Sequence, residues 1–278
     1  MTLEHYQRPY ETLALESEPD WLTIWLNQPD TRNALSAEMV ADLGHVFDLV
    51  ANDTAIRGVT LRGRGGIFCA GGDLKAFNAL ASGAAVDAGA IARDSVEGGL
   101  LFYRVDTLPA FVLVLVEGAA MAGGLGLACC ADVVAVTRDA KFALTETTLG
   151  IPPAQIAPFV VNRIGEARAR RLMLTAARFT GDEALAMGIA DYAVVDAVML
   201  AQVEAELKSQ VRRCAPDANR ATKAILRESR LRTAAALRDF AAEQFTKCLL
   251  GREGKEGIRA FVEKRAPDWA KPRTSNDK

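Results

Sequence analysis

LPAFVLVLVEGAAMAGGLGLACCADVVAV, residues 108–136, is the most apolar stretch of the chain. A membrane helix needs about 20 uninterrupted apolar residues. Here Glu117, Asp132 and the glycines Gly118, Gly123, Gly124 and Gly126 break the run. The stretch reads instead as a buried strand, a turn, a buried helix and a second strand. Phe111–Val116 is apolar throughout and β-branched at alternate positions, the pattern of a strand covered on both faces. Val133–Thr137 repeats it. Strands that alternate with helices through glycine-rich turns indicate an α/β core.

Working outward, Trp21–Leu26 and Gly58–Arg62 read as further strands. Ser36 is placed to cap a helix running to Val50, with Met39, Val40, Leu43, Val46, Phe47 and Val50 on one stripe. Phe68–Lys75 reads as a turn opening into a helix. Residues 81–99, rich in Ala, Gly and Ser, predict a mobile segment before a helix over Leu100–Val105. The last third predicts helices over 166–175, 182–187, 197–214, 218–230, 234–249 and 256–264, with one strand over 191–195. This divides the chain into a sheet-containing core, 1–196, and a helical C-terminal region, 197–278, with a polar, frayed tail from Lys271.

The chain has 278 residues, half of them hydrophobic and 24% charged, with a net charge of −2. That composition excludes global disorder. It lacks the basic excess of a protein that binds nucleic acid. The two histidines, His5 and His45, exclude a His-rich metal centre and leave acid–base chemistry to carboxylates. His45 reads as a surface or satisfied residue of its helix. The five cysteines include no CxxC pair and read as buried free thiols. No signal peptide is legible, so the expectation is a soluble, cytoplasmic protein that uses no metal and touches no membrane.

Two glycine turns could carry chemistry, one at Gly71–Gly72 and one at Gly123–Gly124. Glycine permits close backbone approach, and a helix N-terminus presents unpaired N–H groups. Two such groups together would make an oxyanion hole. The same glycines would equally serve tight packing. Neither turn is a P-loop or a dinucleotide fingerprint. Glu146 lies in an otherwise uncharged stretch, which raises a carboxyl pKa and suits a general acid–base. A helix-start glutamate or a structural ion pair is the alternative.

The strings Phe68-Cys-Ala-Gly-Gly-Asp-Leu-Lys75, Glu117-Gly-Ala-Ala-Met-Ala-Gly-Gly124 and Glu256-Gly-Ile-Arg-Ala-Phe-Val-Glu-Lys-Arg265 resemble the crotonase (enoyl-CoA hydratase/isomerase) superfamily. The resemblance runs from Trp21 to Trp269. It implies a spiral of ββα repeats with a helical C-terminal region that drives trimers, which can pair into hexamers. It also implies an acyl-CoA thioester as substrate, with no cofactor beyond that CoA. By motif position, the N–H groups of Gly72 and Gly123 would bind the thioester oxygen and Glu146 would be the acid–base. Arg32, Ala34, Ala70, Asp73 and Leu74 would line the CoA channel, and Phe261 and Lys264 would meet the adenine and phosphates, often those of a neighbouring subunit. Arg32, Lys75 and Lys264 could equally be solvated surface charges. Met121, Leu149 and Phe159 would line the acyl pocket or be ordinary core.

One departure stands out. Family hydratases carry two glutamates, and the first would fall at Gly126. The resemblance therefore implies catalysis by one carboxylate, in a hydratase, a double-bond isomerase, or a thioesterase or C–C hydrolase. A silent acyl-CoA-binding protein is the non-enzymatic alternative. The runs Thr145–Val161 and Gly124–Asp132 are similar to a bacterial branch that hydrates branched glutaconyl-CoA substrates. On volume, Gly126 is expected to leave room for a branched or carboxylated acyl chain.

Overall fold

The computed structural model describes residues 6, 9–73 and 87–271. Phe111–Val116 forms the strand β4 at the centre of a six-stranded sheet. Its side chains alternate across that sheet. Val112, Val114 and Val116 enter the main core, while Leu113 and Leu115 enter a second apolar cluster on the other face. Both faces are covered, which explains the unbroken apolar run.

The other strands of this sheet are β1 (Leu13–Glu18), β2 (Trp21–Leu26), β3 (Gly58–Gly63), β6 (Val133–Thr137) and β9 (Tyr192–Val194). Their order is β1-β2-β3-β4-β6-β9. β1 and β2 form an antiparallel pair, and every later neighbour is parallel. The short strands β5 (Ala119–Met121), β7 (Lys141–Ala143) and β8 (Phe179–Thr180) build a second sheet. Each spiral turn thus gives one long strand to the large sheet and one short strand to the small sheet: β4 leads to β5, and β6 leads to β7. This is the expected ββα spiral.

Helix α1 (Ala37–Asn52) is capped by the Ser36 side chain, which accepts from the Met39 N–H, and it buries Met39, Leu43, Val46, Phe47 and Val50. Helix α2 (Ala88–Thr107) corrects the expectation for 81–99. It begins at Ala88, where the Asp87 side chain accepts from the Gly89 N–H. Alanines and a good cap outweigh the glycines that obscure the period. Residues 81–86 lie outside the described residues. Helix α3 (Gly123–Cys129) follows β5 at once, and α4 (Ala157–Ile164) and α5 (Glu166–Thr175) follow β7. Helix α6 (Gly181–Met187) is closed by Gly188 in the left-handed conformation.

Helix α7 (Ala197–Arg213), capped by Asp196, lays Leu200 and Leu207 on the second cluster beneath β4 and β6. Helices α8 (Pro216–Glu228), α9 (Ala234–Leu250) and α10 (Arg252–Val262) complete the chain. Pro216 opens α8 at its first turn instead of standing outside it. These helices leave Leu226, Phe245, Ile258, Phe261 and Val262 exposed. Among the described residues, no helix is long and apolar enough to cross a membrane.

Candidate active site

The site is built where the two glycine turns meet. Cys69 pairs with Ala120 of β5, so the segment before Gly71 runs beside the segment before Gly123. Gly71 has φ +95°, and a Cβ there would lie 2.9 Å from both Ala122 Cβ and the Met121 carbonyl oxygen, and 3.5 Å from the Gly123 nitrogen. A side chain at position 71 would therefore wedge the turns apart. Neither the Gly72 nor the Gly123 N–H has an acceptor among the described residues. The Gly123 N–H opens α3, at the positive end of its dipole. Ala122, which precedes it, is held at φ 46° and ψ −118°. A non-glycine residue in that region costs about 1–3 kcal/mol, and here the strain aims the next N–H.

A third segment locks onto this pair of turns. The Ala70 N–H donates to the Arg32 carbonyl at 3.0 Å, and the Leu35 N–H donates to the Gly71 carbonyl at 2.8 Å. Arg32 and Asn33 are both left-handed. Asn33 is fully buried; its Oδ1 accepts from the Gln28 N–H at 2.8 Å, and its Nδ2 donates to the Arg64 and Ile67 carbonyls at 2.9 and 2.7 Å. Each buried group left unpaired costs about 1–3 kcal/mol. Asn33→Ala is expected to lower stability by several kcal/mol and to raise KM for a CoA thioester. A urea midpoint and a substrate titration check this; a variant with wild-type values in both would separate Asn33 from the loop.

Glu146 comes from the neighbouring strand. β5 and β7 are parallel, with Met121 opposite Ala143. Gly123 lies two residues beyond Met121 and Glu146 three beyond Ala143, at the same end of the small sheet. Glu146 opens a short 3-10 turn, 146–149. Its Oε2 is buried and has no partner among the described residues. Burial pushes its carboxyl above the usual range, against the pull of its own backbone N–H. Among the described residues no cation forms an ion pair with Glu146, so the ion-pair alternative finds no support there.

The turns thus gather Arg32, Ala34, Ala70, Gly72, Asp73, Met121 and Gly123 into one region. Leu74 and Lys75 lie outside the described residues, as does His5. Leu149 is 57% exposed, and Phe261 is 86% exposed at the end of α10. No described hydrogen bond or ion pair joins Phe261 or Lys264 to the turns. His45 packs beside Tyr10 on α1, away from the site.

The expectation for Gly126 is corrected. A Cβ there would lie 2.4 Å from Ile156 Cγ2, 2.8 Å from Ile156 Cβ and 3.2 Å from Phe102 Cε1. The volume that glycine vacates is already filled, so it opens no room for a branched chain. Ile156 and Phe102, with Leu35 reaching to 3.0 Å of a Cβ on Gly123, are site-lining residues that sequence reasoning missed. Their apolar positions look like ordinary core, and no local pattern separates the two roles.

The Enoyl-CoA hydratase/isomerase family profile matches residues 19–272. A putative enoyl-CoA hydratase of Thermus thermophilus is 34% identical over 251 residues, covering 88% of this chain and 95% of the relative. Enoyl-CoA hydratase EchA19 of Mycobacterium tuberculosis is 33% identical over 264 residues, covering 92% and 98%. The solved structure of Pseudomonas aeruginosa AtuE is 49% identical, with a TM-score of 0.90, over 94% of this chain and 100% of that one.

Proposed function

The chain belongs to the enoyl-CoA hydratase/isomerase family, and on that premise we propose that it adds water across the double bond of an α,β-unsaturated acyl-CoA; the likeness of residues 124–132 and 145–161 to hydratases of branched glutaconyl-CoA substrates, and not space at Gly126, supports an acyl chain of that type. The observation that carries this reading is that two N–H groups without acceptors among the described residues and the half-buried Glu146, whose Oε2 has no partner among those residues, lie at one end of the small sheet.

The thioester oxygen sits between the N–H groups of Gly72 and Gly123. As the water oxygen bonds to Cβ, electrons move onto that oxygen as an enolate. Each donor facing it is worth roughly 3–4 kcal/mol in the transition state. Glu146 takes one proton from the attacking water. The enolate then collapses, and Glu146 returns that proton to Cα. One O–H bond and the C=C π bond break while one C–O and one C–H bond form. The reaction is redox-neutral, so the CoA of the substrate is the handle and no further cofactor is assigned. Arg32, Ala34, Ala70 and Asp73 line the CoA channel, and Met121, Leu149 and Phe159 line the acyl side.

The exposed apolar residues of α8 to α10 support self-association as a trimer or a dimer of trimers, which would bring Phe261 and Lys264 to a neighbour's CoA. Free, buried Cys69, Cys129 and Cys130 support a reducing, cytoplasmic setting. Double-bond isomerisation is the second reading. Ile156 and Phe102 fill the side of Gly126, so one carboxylate serves, and one is enough to carry a proton between carbons.

A panel of CoA thioesters separates the readings. Loss of conjugated-enoyl absorbance supports hydration. Growth of that absorbance from a β,γ-unsaturated substrate means isomerisation, and released thiol means hydrolysis. Binding with no change in any of them means a silent binding protein.

A further inference from the structure

Glu146 stands at the start of the short turn 146–149, and its Oε2 has no partner among the described residues. The carboxylate therefore stands where the backbone of that turn puts it. Upstream, Leu144 is buried in the main core. Downstream, the turn closes on itself. The N–H and the hydroxyl of Thr148 both donate to the Thr145 carbonyl, at 3.0 and 2.7 Å. The Gly150 N–H donates to the Thr147 carbonyl and the Ile151 N–H to the Glu146 carbonyl, each at 3.2 Å. These bonds fix the shape of the turn. They do not fix where it stands against the rest of the fold.

Of the described hydrogen bonds made by residues 145–152, one reaches another element. The Thr147 Oγ1 donates to the Met173 carbonyl at 3.0 Å. Met173 lies in the last turn of α5, where the final four carbonyls have no partner within the helix. Ala176, left-handed at φ 49°, ends α5 there, and among the described residues no backbone N–H donates to the Met173 carbonyl. The Thr147 hydroxyl supplies the missing donor. The acceptor is held firmly, because α5 buries Ala169 and Leu172 and Met173 packs against the main core.

We infer that Thr147 is a positioning residue for Glu146: its hydroxyl, seated on the end of α5, sets where the turn stands relative to the Gly72 and Gly123 N–H groups. One hydrogen bond at the surface contributes only about 0.5–1.5 kcal/mol to folding. A displacement of about 1 Å at the reacting groups can cost about 10²-fold in rate. Loss of the Thr147 hydroxyl is therefore felt more in turnover than in stability. The inference rests on the acid–base role given to Glu146 above.

Thr147→Val keeps the branched shape and removes the donor. With a thioester that the wild type turns over, it is expected to lower kcat about 10-fold and to leave KM within about 2-fold. Thr147→Ser restores the donor, and with it kcat. Thr175→Val is the control: the Thr175 hydroxyl bonds within its own helix, to the Arg171 carbonyl, and its loss leaves kcat and KM unchanged. Amide hydrogen exchange reads the turn without any turnover. The Gly150 and Ile151 N–H groups are expected to exchange at least ~3-fold faster in Thr147→Val and at the wild-type rate in Thr147→Ser. Wild-type kcat or wild-type exchange in Thr147→Val overturns the inference, as does a serine variant as slow as the valine one. Glu146→Gln, assayed beside them, separates the two claims. If it is slow while Thr147→Val is unchanged, only the positioning role fails. If it turns over at the wild-type rate, the acid–base role fails and the inference with it.

Discussion

Glu146→Gln lowers kcat by about 10²–10⁴-fold, the usual contribution of a positioned acid–base group, and leaves CoA binding intact. Glutamine keeps the shape and loses the proton. The same substitution does not weaken the fold. Burial holds the carboxyl above its ordinary value of 4.5, so at neutral pH the native state carries a charge that its surroundings disfavour. The stabilisation from the protonated carboxyl is present below that ordinary value and is lost as pH rises through the raised one. Glutamine removes this penalty, so the urea midpoint at pH 7 stays equal or rises. In the wild type, kcat/KM for hydration rises with pH as the carboxyl ionises, with its acid limb above 4.5. A Glu146→Gln enzyme with wild-type turnover, or one that is inactive because it is unfolded, contradicts this account.

Gly126→Glu costs about 3 kcal/mol or more of stability. The Cβ alone would overlap Ile156, which is buried at 4% exposure. Overpacking of this kind costs about 1–3 kcal/mol, and a carboxylate buried among Ile156 and Phe102 adds a desolvation penalty. Ile156→Ala restores the room. The double variant is therefore more stable than the two single losses would sum to, with a coupling of about 1 kcal/mol or more. Urea melts of the three variants measure it. A Gly126→Glu protein with the wild-type midpoint would show that Ile156 does not occupy that side of α3.

The contrast between Gly126 and Phe111–Val116 shows where a sequence is legible. A strand buried on both faces writes its environment into every one of its own residues, so β4 and its neighbours could be read directly. Caps are local too, which is why Ser36 and Gly188 marked their helices. Strands β5 and β7 have three residues each, too few for a period, and they exist because Cys69, Ala120 and Phe142 pair across long separations. Helix α2 was obscured by its glycines and by exposed faces that carry no stripe. Gly126 looked like space because its neighbour Ile156 is 30 positions away in the chain. Glu146 was visible through its isolation, and the glycine turns through their composition. That the turns meet, and that their N–H groups stay unpaired, depends on tertiary contacts.

The central claim is that one carboxylate and two backbone N–H groups hydrate a conjugated acyl-CoA. Its most direct test is to follow the conjugated-enoyl absorbance of 3-methylglutaconyl-CoA with the wild type and with Glu146→Gln, weighing the product by mass spectrometry. The account predicts that the wild type bleaches the absorbance and yields a thioester heavier by one water, while Glu146→Gln leaves the substrate intact. Release of free CoA without a hydrated thioester, or bleaching by Glu146→Gln at the wild-type rate, would contradict it.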